Sequence, residues 1–139
     1  MANPKTYITR DGGDARLDNV TVSGVLEFVG ALAGKVQLSA QELTVTGAID
    51  PNVSLVTLNH ISTVIAATRV APQAGDVLVI INTSASGTAA HTVTLPTGVT
   101  WDGTNRVATL NAPDEALICI ATSATRYRVL VNLGSVAFS

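Results

Sequence analysis

β-Branched side chains dominate this sequence. The 139 residues include 18 Val, 18 Thr and 8 Ile, whereas Phe, Tyr and Trp together make up only 4% of the chain. Because β-branched side chains lose rotamer freedom in a helix and pack well on the pleated surface of a sheet, this composition favours strands. A chain of this length provides one domain and can bury a substantial core. The sequence therefore predicts an all-β protein.

Short strand-like segments recur roughly every ten residues in the second half of the chain, separated by clusters of Pro, Gly, Asn, Asp and Ser. This rhythm is typical of antiparallel sandwiches and barrels. Residues 52–70 mix a helix-like spacing of Leu and Ile with many Val and Thr, and we interpret them as strands too. The later segments are 77–82, 91–95, 99–101, 106–110, 116–121 and 126–132. We predict an antiparallel β-sandwich of jelly-roll type with an extended N-terminal arm.

Two details sharpen this prediction. Residues 77–81 are apolar without interruption, which predicts a strand buried on both faces. Asp102 and Gly103 lie between two short strand-like segments and predict a hairpin turn, because glycine adopts the left-handed conformation that such turns need.

The chain divides into three predicted parts. Charged side chains and a Gly-Gly pair concentrate in residues 1–19, which we interpret as an N-terminal arm. Residues 20–51 form a short β repeat-like segment, because the sequence VTVSG that ends at Gly24 returns as LTVTG, ending at Gly47. We expect each copy to be an extended segment closed by a glycine with positive φ. Residues 52–139 form the predicted sandwich domain.

The charge of the chain excludes several classes of partner. Charged residues make up 13% of the sequence and the formal net charge is -2, so the chain has no basic footprint for nucleic acid or for a membrane surface. The longest apolar run, 116–121, is far shorter than the ~20 residues needed to span a bilayer. The first residues lack the apolar core of a signal peptide, and we expect synthesis in a cytoplasm. We therefore expect no nucleic-acid partner and no membrane partner.

No catalytic or metal-binding constellation is evident from the spacing of reactive side chains. His60 and His91, the two histidines of the chain, have no third ligand and no nucleophile at a usable spacing. Cys119 lies within an apolar strand-like run, where a packed thiol is expected. The acidic residues of segment 11–18 are too few for a calcium-binding loop. The sequence predicts no enzymatic activity, no cofactor, no metal and no small-molecule ligand.

Seven residues are candidates for contact with a partner protein. They are Arg10, Asp11, Asp14, Arg16, Trp101, Arg126 and Arg128. The first four are selected for their charge within the arm. Trp101 is either a stacking platform for a sugar or a filler of the core. On a strand, Arg126 and Arg128 share one face and Tyr127 takes the other. The two arginines contact either solvent or the carboxylates of a partner.

A long uncharged stretch favours self-association. The 25 residues 77–101 carry no formal charge, and they include a predicted loop at 83–90. This loop is either solvent-exposed or packed against another subunit, where a charge would be costly to desolvate. Neutral loops and strand edges of a lone chain invite pairing with a second copy. We expect a homotrimer, because a closed three-fold ring covers such surfaces on every subunit.

Three sequence stretches resemble known proteins. GVTWDGTNRVATLNAPDEAL at 98–117 and ATRYRVLVN at 124–132, followed by a tail containing Gly134, resemble the closing hairpins of small β-rich proteins of tailed bacteriophages. These proteins are capsid decoration (cement) proteins and the related head or tail fibre proteins. LTVTG at 43–47 is also similar to repeats that open many phage fibre chains.

The resemblance implies a trimeric, jelly-roll-like knob without an active site. It would sit on the outer capsid surface of the virion at three-fold sites, attached to the major capsid protein by its arm, after synthesis in the host cytoplasm. An alternative is a receptor- or glycan-binding fibre knob, in which Trp101 and Tyr127 would line a shallow exposed site. A polysaccharide-cleaving enzyme would need a close pair of carboxylates, which the scattered acidic residues do not supply.

Overall fold

The computed structural model describes residues 38–85 and 89–139, and within these ranges it contains ten strands and no helix. The arm predicted at 1–19 and the first copy of the repeat lie outside the described residues. The strands are β1 (Ala40–Leu43), β2 (Gly47–Ala48), β3 (Leu55–Leu58), β4 (Ala66–Thr68), β5 (Val77–Asn82), β6 (His91–Thr94), β7 (Val107–Leu110), β8 (Ala116–Ser123), β9 (Arg126–Leu133) and β10 (Ala137–Phe138). The predicted all-β class is confirmed.

The strands form two mixed five-stranded sheets. Sheet A has the order β1-β3-β5-β8-β9, and sheet B has the order β10-β7-β6-β4-β2. Up to β6 the chain alternates between the sheets, and each new strand lies parallel to the strand two before it. Each consecutive pair, β1–β2, β3–β4 and β5–β6, thus makes one coil with a strand in each sheet.

After β6, the pairing of the strands changes from parallel to antiparallel. β7 and β10 extend sheet B with antiparallel pairing, and β8 and β9 do the same for sheet A. The prediction of a purely antiparallel sandwich is therefore wrong for the first six strands, and a jelly roll is not confirmed. Alternation of side chains along a strand shows which face is buried, but the path of the connections decides whether neighbours run parallel.

The two sheets share one hydrophobic core. On sheet A its members include Val56, Leu58, Leu78, Ile80, Leu117 and Cys119, and on sheet B Ala67, Val93, Ala108 and Leu110. In β5 the buried residues alternate with Val77, Val79 and Ile81, which point away from the core; Val77 is 40% exposed and the other two are half-buried. The prediction that this strand is buried on both faces is wrong for the described chain.

Most predicted strands of the second half are confirmed, and 99–101 is the exception. Thr100 makes only an isolated bridge to Arg126, and β7 pairs with β6 and β10, so the predicted hairpin between 99–101 and 106–110 does not form. The chain does turn at Asp102 and Gly103, and Gly103 has the expected positive φ of 104°. The Asp102 carboxylate accepts hydrogen bonds from the backbone nitrogens of Asn105 (2.8 Å) and Thr104 (2.9 Å). These hydrogen bonds lower the pKa of Asp102 and hold the turn without a strand on both sides.

The described part of the predicted repeat-like segment belongs to the same two sheets as the rest of the body. β1 pairs with β3 in sheet A, and β2 pairs with β4 in sheet B. The repeat copy at 43–47 forms the corner between β1 and β2 rather than one extended segment. Gly47 does not have a positive φ, which contradicts the expectation for this glycine.

Candidate interaction surface

The face of sheet A that points away from the core is apolar. Its residues lie in three rows that cross the sheet from strand to strand. The middle row is Ala40, Leu55, Val79, Ile118 and Val131; the row on one side is Glu42, Thr57, Ile81, Ala116 and Leu133; the row on the other side is Val77, Ile120 and Arg128. We call this surface, with its core-distal Leu, Val and Ile side chains, the outer apolar face. In its three rows, charge occurs only on the edge strands, at Glu42 and Arg128.

A register shift in β9 brings two of these residues onto the outer apolar face. Cys119 pairs with Val129 while the preceding Ile118 pairs with Val131, so Leu130 is an extra residue in the ladder. Such a bulge changes which later residues point to each side of the sheet. Val131 and Leu133 consequently lie on the outer apolar face, where they are 44% and 59% exposed.

Sheet B has a different outer face. Its two rows are Ala66, Thr92, Thr109 and Ala137, and Ala48, Thr68, Thr94 and Val107. Threonine and alanine thus replace the leucine, isoleucine and valine of sheet A. A threonine-rich outer face is ordinary for a sheet that contacts water on one side, whereas the outer apolar face of sheet A is not.

The two candidate arginines lie beside the aromatic core residue that separates them, as predicted. Arg126 and Arg128 are exposed, and Tyr127 is fully buried. Arg126 donates a hydrogen bond from Nη2 to the carbonyl oxygen of Asp102 at 3.1 Å, so its guanidinium covers the Asp102–Gly103 turn. Arg128 pairs with Ile120 at the margin of the outer apolar face.

Trp101 belongs to the core. Its side chain is fully buried, its Nε1 donates to the carbonyl oxygen of Arg106 at 3.0 Å, and its ring stacks on Tyr127 with centroids 5.3 Å apart. Burial raises the pKa of the Tyr127 phenol. Neither aromatic ring can form the shallow exposed site that the glycan-binding alternative requires. Trp101 is therefore withdrawn as a candidate contact residue, because a side chain without exposed surface cannot touch a partner.

The side chain of His91 and the backbone of His60 both contact the hydroxyl of Ser84. The Ser84 hydroxyl lies 3.1 Å from Nε2 of His91 and donates to the carbonyl oxygen of His60 at 3.1 Å. It also accepts a hydrogen bond from the backbone nitrogen of His60 at 3.0 Å. Ser84 and His91 are buried. The group joins the corner at 59–65 to Ser84, two residues after the end of β5.

The hydrogen bonds of His91 assign its protonation. Nδ1 of His91 accepts from the backbone nitrogen of Ile65 at 3.0 Å, so the neutral ring carries its proton on Nε2 and donates it to the Ser84 hydroxyl. Burial lowers the pKa of His91, which favours this neutral form. A general base would have to accept the serine proton at Nε2, and here that nitrogen is the donor. The arrangement holds Ser84 to the corner at 59–65 and does not activate its hydroxyl.

A polar groove of about 340 Å³ opens beside β4 and β5. Arg69, which lines it, is 4% exposed and donates to the carbonyl oxygens of Asp50 and Pro51, the latter at 3.0 Å. Asp76, on the same groove, accepts from the backbone nitrogen of Gln73 at 2.9 Å. The charged side chains of Arg69 and Asp76 are therefore both hydrogen-bonded to backbone groups of the same chain.

The remaining candidate residues lie outside this part of the structure. Arg10, Asp11, Asp14 and Arg16 are not among the described residues. Across 38–85 and 89–139, no three His, Cys, Asp or Glu side chains group in a way that could hold a metal ion. In the same ranges, no helix is long and apolar enough to cross a membrane.

No protein family, curated protein or solved structure matches this chain. The surface that sequence reasoning missed is the outer apolar face. Its signal is the uninterrupted apolar runs at 77–81 and 116–121, although the first of them predicts a strand buried on both faces. An apolar run means that both faces of a strand are apolar; it does not show that both faces are covered by the same chain.

Proposed function

We propose that this chain is a structural virion protein: a capsid decoration (cement) protein that binds an assembled phage shell as a homotrimer and stabilises it. The observation that carries the proposal is the outer apolar face, a surface suited to permanent protein contact. The sequence resemblance of residues 98–117 and 124–132 to phage decoration and fibre proteins supports the same conclusion. The buried polar groups around Ser84 and Arg69 serve the fold, and they favour a non-enzymatic role.

The proposed action is thermodynamic. A protein that binds the assembled shell, but not the dissociated capsid subunits, shifts the equilibrium toward the assembled state by mass action. Its partner would be the major capsid protein on the outer surface. In a homotrimer three arms would act together, because each later contact forms at a high effective concentration after the first.

A receptor- or glycan-binding knob is the alternative, and the burial of Trp101 and Tyr127 removes the aromatic site on which it depended. A pelleting experiment separates the two functions. The purified protein is mixed with bare shells of the phage that encodes it and, separately, with host cells. We expect the protein to pellet with the shells and to raise the temperature at which they dissociate. Pelleting with cells alone would favour the receptor function, and pelleting with neither would refute both.

A truncation tests the role of the arm. Deleting residues 2–16 should leave a folded oligomer that attaches only weakly to shells, because the charged arm is predicted to order when it binds. Circular dichroism and light scattering report the fold and the mass, and the pelleting assay reports attachment. Undiminished attachment would show that the shell contact lies in the rest of the chain and not in the arm.

A further inference from the structure

We propose that the polar groove beside β4 and β5 is a binding site for one sugar residue. Arg69 donates to one hydroxyl group of the sugar, and Asp76 accepts from another. The groove has a volume of about 340 Å³, within the range of roughly 300–1,000 Å³ that small-molecule sites usually occupy. This inference goes beyond the shell-binding role and does not depend on it, and it departs from the expectation that the chain has no small-molecule ligand.

The fold uses only part of the hydrogen-bonding capacity of Arg69. A guanidinium has five N–H donors, and the side chain of Arg69 donates to the carbonyl oxygens of Asp50 and Pro51. Its Nε is buried and has no hydrogen-bond partner among the described residues. The side chain is only 4% exposed, and a buried cation whose donors lack acceptors is costly. An oxygen-rich ligand in the groove would supply acceptors to this guanidinium.

Asp76 provides an acceptor in the same groove. Oδ2 of its half-buried carboxylate accepts from the backbone nitrogen of Gln73 at 2.9 Å, which leaves Oδ1 for a donor on the ligand. A carboxylate only accepts hydrogen bonds and a guanidinium only donates them, so a ligand that bonds to both must offer a donor and an acceptor. Neighbouring hydroxyl groups of a sugar ring meet this need, because each hydroxyl both donates and accepts.

The charges of the groove favour a neutral ligand. An anion would be repelled by Asp76 and a cation by Arg69. An apolar ligand would cover both charged groups without bonding to either. The lining also contains Ser54 and Gln73, which add a hydroxyl and an amide to the polar side chains. A neutral molecule rich in hydroxyl groups therefore fits the lining better than an ion or a hydrocarbon does.

The apolar residues of the lining suit the C–H surface of a sugar ring. Val70 and Val77 both line the groove, and they are 51% and 40% exposed. No aromatic side chain is among the lining residues, so this site does not use the stacking that Trp101 and Tyr127 would have provided. A neutral peptide is the other candidate, but an extended peptide needs a free sheet edge and separate pockets for alternate side chains. The groove instead concentrates its polar side chains in one volume.

A titration of the full chain, labelled with ¹⁵N and followed by two-dimensional NMR, tests the inference. The probes are the methyl glycosides of glucose, galactose, mannose and N-acetylglucosamine, with inorganic phosphate as an anion probe and N-acetylglycinamide as a peptide probe. We expect at least one glycoside to shift the backbone amides of Ser54, Val70 and Gln73 saturably, with a dissociation constant on the order of 1 mM. Saturable shifts there with phosphate or the peptide probe alone would overturn the inference, as would no saturable shift with any glycoside.

Two matched substitutions assign the binding to the groove. Asp76→Asn keeps an oxygen that can accept from Gln73 but loses the charge, and we expect the glycoside to bind about 10-fold more weakly. Asp102→Asn is the control, because Asp102 also accepts backbone N–H groups in a turn but lies outside the groove. It should bind the glycoside as the unmodified protein does. Equal binding by Asp76→Asn with an otherwise unchanged spectrum would overturn the inference. A protein that pellets with shells but binds no glycoside would refute this inference and leave the proposed function standing.

Discussion

Acid should destabilise this fold through His91 before it affects most carboxylates. The ring is fully buried, and Nδ1 accepts the backbone N–H of Ile65 at 3.0 Å. Protonation of Nδ1 would turn two hydrogen-bond donors toward each other and would bury a charge. The folded state therefore holds His91 neutral, and burial lowers its pKa below the ordinary value of 6.5.

The sign and size of the effect follow from this direction. Below about pH 6.5 the unfolded chain begins to bind a proton at His91 while the folded chain does not, so the free energy of unfolding falls as the pH is lowered. The slope reaches about 1.4 kcal/mol per pH unit for one proton. The stability contributed by neutral His91 is complete above the unfolded pKa and is lost as pH falls through the folded pKa. Below that folded pKa, His91 adds no further slope.

Urea unfolding at one fixed protein concentration, at pH 7.5, 6.5 and 5.5, measures this slope. His91→Gln is the informative variant, because its side-chain amide can accept from Ile65 and donate to Ser84 without titrating. We expect the free energy of unfolding of this variant to depend less steeply on pH between pH 7.5 and 5.5, by up to about 1.4 kcal/mol per pH unit. A wild-type stability that is flat or rises toward pH 5.5 would refute the argument. So would an unchanged slope in His91→Gln.

Three further predictions concern residues 38–139. Gly134→Ala should lower the free energy of unfolding in urea by about 3 kcal/mol, because φ is 82° and the added Cβ would lie 2.6 Å from Glu115 Cγ. Gly98→Ala, where φ is 83° and the space is open, should lower it by only about 1 kcal/mol. Equal losses for the two variants would contradict the contact with Glu115. Arg69→Ala should lower the free energy of unfolding by about 2–4 kcal/mol in the same assay, because two backbone carbonyl oxygens lose their donor. An unchanged stability would contradict this structural role. The Cys119 thiol, whose pKa is raised by burial to about 12, should not react with a thiol reagent at pH 8 until the protein is unfolded, and prompt native reactivity would contradict its burial.

The positions of the strands could be predicted from the sequence, but the direction of the first six could not. Alternation in His91–Thr94 and the turn residues around it locate β6 well. The same alternation fits a parallel or an antiparallel neighbour, and β4 lies parallel to β6 because the chain changes sheets between them. Where two strands in one sheet are separated by a strand in another sheet, local pattern contains no information about their relative direction.

The candidate contact residues were predictable only in part. The opposite placement of Arg126 and Tyr127 follows from the two-residue period of a strand. The burial of Trp101 depends on its stacking with Tyr127, a contact between distant parts of the sequence. Arg69 was missed because arginine is mostly exposed, and its burial depends on two carbonyl oxygens at the β2–β3 turn. These contacts join residues that are far apart in the sequence, so a local sequence pattern does not predict them.

The corners between the two sheets differ in length from coil to coil. Residues 44–46 join β1 to β2, and residues 59–65 join β3 to β4. The strands that they connect nevertheless keep their parallel pairing. Extra residues at a corner are therefore accommodated outside the sheets, at the small entropic cost of a longer loop. If the protein coats a shell as we propose, a foreign peptide grafted into such a corner would be displayed in many copies on one particle.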